Sequence, residues 1–274
     1  MKNLINKICV YFLTFQLYSV AGWVTETLLY VFRDRKFVKR GFLFGPLCPI
    51  YGTGAVLCTL LFYGKINNIF LLFVVGSLVC GALEYITHFL MEKLFHAMWW
   101  DYSSRRFNIK GRVYLKGVLM FGAGVVLIVK VLQPFVFRII SLIPVNVLYG
   151  ICFALYSVML VDLTFTLTDL TGLIQKLKKL QSVTLENVQR EIDKGDEQLN
   201  TLANSIKENS HIQAMAQEIK NNPLLIRIKY KYPNFTLTKY KKIWEIIDDK
   251  PDPSKARKDI KLYGSSDSGD EKSK

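Results

Sequence analysis

The chain has no nucleotide-binding loop. Gly64-Lys65 is followed by Ile66 where the phosphate-binding motif needs Ser or Thr, which excludes ATP hydrolysis by that route. Cysteines are few and odd in number: Cys9, Cys48, Cys58, Cys80 and Cys152. No two stand at a zinc-type or redox spacing, so they read as reduced, buried small hydrophobes. No nucleic-acid-binding motif occurs, and the excess of base behind the pI near 9.5 sits in loops beside apolar runs. Nucleic acid is therefore not an expected partner. Acid is scarce in the first part of the chain. Before Thr171 there are 7 Asp and Glu against 16 Lys and Arg, a net of +9; beyond it there are 15 against 20, a net of +5.

What the chain has in quantity is apolar length. It is 51% hydrophobic over 274 residues, with mean hydropathy +0.22, too apolar for an ordinary soluble domain. Crossing the hydrocarbon takes roughly 20 apolar residues as a helix. Five runs qualify: 8–32, 42–63, 69–91, 114–137 and 144–167. The expected fold is all-α: a five-helix transmembrane domain over 1–170, its second helix broken. A cytoplasmic polar helix (171–222), a basic amphipathic segment beside the membrane (223–248) and a disordered tail (249–274) follow. Lys and Arg number five in the first loop, one in the second, five in the third, one in the fourth and twenty in the tail. The positive-inside rule then sets the N-terminus outside and the C-terminus in the cytoplasm of a multi-pass cell (cytoplasmic) membrane protein. Lys2, Lys7 and Ser19-Val20-Ala21 resemble a cleaved signal peptide, but the apolar run continues to Phe32, which favours an uncleaved span.

The stretch Arg40–Ala55 carries four glycines and two prolines at the start of the second span. Pro46 and Pro49 lack backbone donors and push the preceding residue out of helical geometry, so a clean helix is expected to begin near Pro49. Gly41 and Gly45, four apart, would give a small face for helix packing. The amides of Ile50, Tyr51 and Gly52 would then face a cavity at the positive end of the helix, an anion-binding arrangement. The alternative is a proline-kinked helix with glycines for packing.

Acids inside membrane spans are rare and usually functional. Glu26, Glu84 and Asp162 lie on three different spans, each roughly 10–12 Å inside the expected cytoplasmic edge. Arg40 and Arg112 are the expected cationic partners. The alternative is a set of structural, hydrogen-bonded acids. Glu84, His88 and Glu92 share one helix face, but the order of residues is not that of a zinc site and no second helix offers ligands, so no metal is expected. Lys130 is expected to snorkel to the outer headgroups. In the third loop, Trp99, Trp100 and Tyr102 suit the interface, interleaved with Asp101, Arg105, Arg106, Asn108 and Arg112. Asn108-x-x-Gly111 reads as a tight turn. The loop could hold an anionic headgroup or cap a cavity; plain anchoring is the alternative. Leu173, Leu177 and Leu180 form a short apolar stripe on the tail helix, suited to a partner or a second copy; the alternative is a solvated helix.

Trp23-x-x-Glu26, the run Arg40 to Gly52, Glu84-Tyr85-x-Thr87 with Glu92, Trp99 to Ser103, Phe107-Asn108 and Gly111-Arg112 together resemble the bacterial family of putative ABC-transporter type IV proteins, or putative ABC transporter permeases. The resemblance is strong over about residues 8–140, and Tyr232-Pro233-Asn234-Phe235 with Lys239-Tyr240 is a weaker feature of it. His88 and Lys130 lie outside it. It implies a membrane permease, which would need a separate ABC ATPase. Membrane lipids are expected partners from the basic excess beside the spans, a homo-oligomer is left open, and no cofactor is expected. The expected ligand-binding set is Glu26, Arg40, Tyr51, Gly52, Glu84, Thr87, Trp100, Asp101, Tyr102, Asn108, Arg112 and Asp162, for an anionic or zwitterionic ligand. Two other readings stay open: a membrane-embedded enzyme acting on a phosphorylated lipid headgroup, with Glu26 or Glu84 as base, and a non-catalytic scaffold.

Overall fold

A computed structural model describes residues 2–35, 41–192, 210–232 and 235–237. Its helices are α1 (Lys2–Asp34), α2 (Pro49–Phe62), α3 (Ile69–Phe95), α4 (Leu115–Leu127), α5 (Gln133–Ser141), α6 (Val145–Ile192), α7 (Ser210–Lys220) and α8 (Pro223–Lys231). Four short strands join them: β1 (Ala97–Met98), β2 (Asn108–Ile109), β3 (Val113–Tyr114) and β4 (Thr236–Leu237). The chain divides into two compact units, residues 1–175 with 223–239, and residues 176–222 with 240–274.

Among the described residues, four helical stretches are long and apolar enough to cross a membrane: Asn3–Phe32, Ile69–Phe95, Leu115–Ser141 and Val145–Thr184. The second of the five expected spans is not among them. α2 has 14 residues, about 21 Å of helix against roughly 30 Å of hydrocarbon. It starts at Pro49, as the prolines require, and ends where Tyr63 turns extended and Gly64 takes φ +71°. The residues before it are irregular, so Gly41 and Gly45 do not share a helix face. Gly41 is at φ +103°, a conformation that favours glycine. Leu43 and Cys48 are buried, so this irregular backbone runs against protein, the condition for its survival at membrane depth.

α1 and α2 cross closely. A Cβ on Gly52 would collide with Ser19 Oγ and the Phe15 carbonyl, and one on Gly22 with the Tyr51 ring. The Cys48 amide donates to the Ser19 carbonyl (3.0 Å) and ties the irregular stretch to α1. α3 packs on α4 in the same manner, with Gly76 against Val125, Gly81 against Val118, and Gly122 against Ser77 and Phe73. Asn68 caps α3 by accepting from the Leu71 amide (3.0 Å), and His96, in the left-handed region, ends it. Between α4 and α5 the helix widens into one π turn over Ile128–Leu132, with the Gln133 amide reaching the Ile128 carbonyl. Pro134, lacking a donor, follows directly.

Lys130 sits in that turn, and its Nζ donates to the Ile66 carbonyl (2.7 Å). It closes the α2–α3 loop, where a carbonyl that no helix uses lies within its reach, a partner that the expected reach to headgroups did not include.

α6 continues as one helix through Leu170 to Ile192. Leu170 and Leu173 in the first unit, and Leu177, Leu180 and Thr184 in the second, are all buried, so the apolar stripe is covered within the chain. In the second unit Ile212 and Ile219 of α7 are buried, and Lys176 pairs with Glu218 (2.7 Å). The Lys176 ammonium holds the exposed Glu218 carboxyl below its usual range. In the first unit α8 buries Leu225 and Ile228, and β4 then pairs antiparallel with β1, Ala97 opposite Leu237 and Met98 opposite Thr236. Of the expected basic segment 223–248, residues 233–234 and 238–248 lie outside the described residues, as does the tail from 249.

Candidate functional site

The expected site residues fall into three groups. The first is an acid–tyrosine cluster. Glu26 of α1 accepts from the Tyr51 hydroxyl of α2 (2.5 Å). Glu84 of α3 accepts from the Tyr102 hydroxyl, at a long 3.4 Å. Burial, then the negative charge of Glu84 and of Glu26, push the Tyr102 hydroxyl well above the usual tyrosine range. Four residues from three helices and one loop are thus gathered. Glu84 is buried, and its second oxygen, Oε2, has no hydrogen-bond partner. Thr87 lies one turn further along α3, half-buried.

The second group is the loop from Trp99 to Tyr114, built by its own polar side chains. Asp101 accepts from the Ser103 amide (2.8 Å) and hydroxyl (3.0 Å). Asn108 donates to the Ser103 and Arg105 carbonyls and accepts from the Gly111 amide (2.9 Å), fixing the turn that its spacing to Gly111 implied. Gly111 stands at φ +69°, where a Cβ would also lie 2.7 Å from Asp101 Oδ1. The Trp100 indole donates to the Arg112 carbonyl (3.0 Å), and His88 Nε2 bonds the Trp100 carbonyl (2.9 Å).

Arg112 does not serve the membrane acids. Its guanidinium donates to Glu92 (2.9 Å) and to the Tyr85 hydroxyl (2.8 Å), and lies over the rings of Tyr85 and Phe89. The Glu92 hydrogen bond, first, raises its basicity further. A planar fork between a carboxylate and two rings suits arginine and not lysine. Tyr85 and Glu92 were absent from the expected set, although Glu92 shares the α3 face of Glu84. Arg40, the other expected partner, lies outside the described residues.

The third group is Asp162 of α6. It accepts from the backbone amides of Phe44 and Gly45, both at 2.8 Å, and from Thr166 (3.3 Å). The anion on the irregular stretch is thus the protein's own carboxylate, held by the amides of Phe44 and Gly45 and not by the expected ones of Ile50, Tyr51 and Gly52. The Tyr51 amide is taken by the Cys48 carbonyl (3.0 Å), and Gly52 is packed on α1. Beside Asp162 an open groove of about 560 Å³ runs along α6, lined by Phe44, Ser157, Val158, Val161 and Phe165.

A family profile described as Putative ABC-transporter type IV matches residues 13–167. The chain belongs to that family. The match takes in α2 to α5, most of α1, the first half of α6, the irregular stretch and the whole third loop, so every described residue of the three groups lies inside it. No curated protein and no solved structure matched in the same comparisons. This family member is accordingly a multi-pass membrane protein of the ABC-transporter type. Among the described residues no three His, Cys, Asp or Glu side chains are grouped to hold a metal.

Proposed function

We propose that this chain is the membrane-embedded component of a transport system driven by a separate ABC ATPase, and that the acid–tyrosine cluster is its ligand site. Glu26, Tyr51, Glu84 and Tyr102 would take the cationic group of a zwitterionic ligand. Arg112 would take its anionic group from the loop side. The charge alternation of the loops supports an N-terminus outside and a site open to the cytoplasm.

The observation that carries this reading is Glu84 Oε2. A buried carboxylate oxygen at membrane depth with no partner is costly, and costs of that kind collect where a ligand completes the hydrogen bonding. Asp162, satisfied by two amides, is left out of the ligand set and given the task of holding the irregular stretch.

Isolation of the tagged full chain from its own membranes in mild detergent tests both halves, with mass spectrometry of co-purifying proteins and small molecules. A stoichiometric ATPase, and a zwitterionic compound present with the wild type and lost with Glu84→Gln at equal protein yield, is the expected result. Absence of an ATPase together with an identical small-molecule profile in Glu84→Gln overturns the reading. One enriched phosphorylated lipid, lost on Arg112→Ala, would put a headgroup-binding protein in its place.

A further inference from the structure

The tip of the third loop, residues 103–110, is firmly built and yet turns its large apolar side chains outward. Phe107 is 78% exposed and Ile109 58%. Neither belongs to a helix, and apolar surface of that size gains nothing from water.

The backbone holds the two side chains out. The Tyr102 amide donates to the Gly111 carbonyl (2.7 Å) and closes the base of the tip. Within it the Asn108 side chain donates to the Ser103 and Arg105 carbonyls, and the Arg112 amide donates to the Ile109 carbonyl (3.0 Å). Phe107 and Lys110 stand at φ +53° and +52°, a region that residues other than glycine rarely enter. Backbone of this kind persists where its surroundings over-determine it, and it collects at working surfaces.

The height of the tip is fixed as well. The Leu115 amide, the first of α4, donates to the Phe107 carbonyl (3.1 Å). Leu115 opens the apolar stretch Leu115–Ser141. Phe107 is therefore level with the end of a span, where hydrocarbon gives way to headgroups. Around it Arg105, Arg106 and Lys110 are exposed, and residues 102–111 contain no acid. Among the described residues no acid pairs with any of these three cations. Asp101, the nearest in sequence, is engaged by Ser103. Apolar side chains flanked by unpaired cations complement an anionic leaflet, the one sinking to the acyl boundary and the other resting on phosphates. Height decides between a leaflet and a partner protein, because this tip is tied to the first residue of a span.

We propose that residues 105–110 are a membrane-surface anchor for anionic lipid. Phe107 and Ile109 enter the acyl boundary, and Arg105, Arg106 and Lys110 hold headgroup phosphates. Arg112 is no part of it, since its guanidinium is held by Glu92 and Tyr85. The inference does not rest on the transport reading or on which way the chain faces.

Phe107→Trp in the full chain tests it, with the wild type and its four tryptophans as the background. The proteins are placed in nanodiscs of phosphatidylcholine, with and without phosphatidylglycerol. With phosphatidylglycerol, the added emission should be quenched by lipid chains brominated near the carbonyl end and shielded from acrylamide. Changing Arg105, Arg106 and Lys110 to Gln should shift the balance from inserted to aqueous by roughly fivefold per residue in anionic lipid, and little in neutral lipid. Emission open to acrylamide in both lipids overturns the proposal, as does equal insertion in both. A tip covered only when an ATPase co-purifies also overturns it and makes the loop a protein docking surface. Should Phe107→Trp fail to accumulate, amide exchange of wild-type residues 103–110 decides. Slower exchange in anionic than in neutral nanodiscs is expected; equal exchange overturns the proposal.

Discussion

Asp162 and Gly45, far apart in sequence, meet at 2.8 Å, the Gly45 amide donating to Oδ2 while the Phe44 amide donates to Oδ1. Both oxygens of one carboxylate are thus spent on the stretch that a helix cannot form. A Cβ on Gly45 would stand 2.8 Å from that same Oδ2, so the glycine is required by the carboxylate.

Asp162→Asn sets an amide NH₂ against a backbone N–H and is expected to destabilise the protein by about 1–3 kcal/mol. Gly45→Ala pushes the carboxylate off the same amide and should lower the melting midpoint comparably. The two lesions act on one contact, so the double variant should lose less than their sum. Melting of the four proteins in one detergent reads this cycle directly; strict additivity means that Asp162 and Gly45 act separately.

Lys130→Met removes a charged donor from the Ile66 carbonyl and keeps the aliphatic stem. The expected loss is about 1.5–3 kcal/mol, the range for hydrogen bonds to charged groups. Because the partner is a carbonyl of the protein, the loss should be the same in neutral and anionic lipid. Melting in nanodiscs of the two compositions checks this. A loss that appears only in anionic lipid would return Lys130 to the headgroups.

Local chemistry made part of this legible in the sequence. Proline geometry places the start of α2 at Pro49, and the Asn108–Gly111 spacing gives the loop turn, because both depend on residues close in the chain. The gathering of Glu26, Tyr51, Glu84 and Tyr102 was foreseen only as a common depth of acids. Depth follows from counting residues inward, but which hydroxyl meets which carboxylate depends on helix rotation, set by packing at Gly22 and Gly52. Arg112 was assigned to the wrong acids for a related reason. Glu92, on the face of Glu84 but nearer the loop, is its partner, and only the path of the 99–114 loop decides between them. Apolar composition runs on through 42–48, but the prolines deny that stretch a regular helix, so the run counted as the second span leaves a helix of 14 residues.

Trp99 is the meeting point of segments that composition alone would have separated. Its ring is edge-on to Phe42 of the irregular stretch (5.3 Å), to Tyr232 (5.3 Å) and to Phe235 (5.2 Å), and it is 4% exposed. The β1–β4 pairing runs alongside. Edge-to-face rings contribute beyond the area they bury, so these contacts should hold the segment 223–237 to the first unit more firmly than a two-residue strand pair could. Phe235→Ala removes one buried ring, for which about 3–5 kcal/mol is the usual cost. The expected outcome is fast protease cleavage within 223–237 while α3 and α4 stay protected, read by intact-mass analysis over a time course. Trp99→Ala should release the same segment and also loosen Phe42, so that cleavage extends to the residues before Pro49. Wild-type protection of 223–237 in Phe235→Ala would mean that α8, through Leu225 and Ile228, holds the segment without the rings.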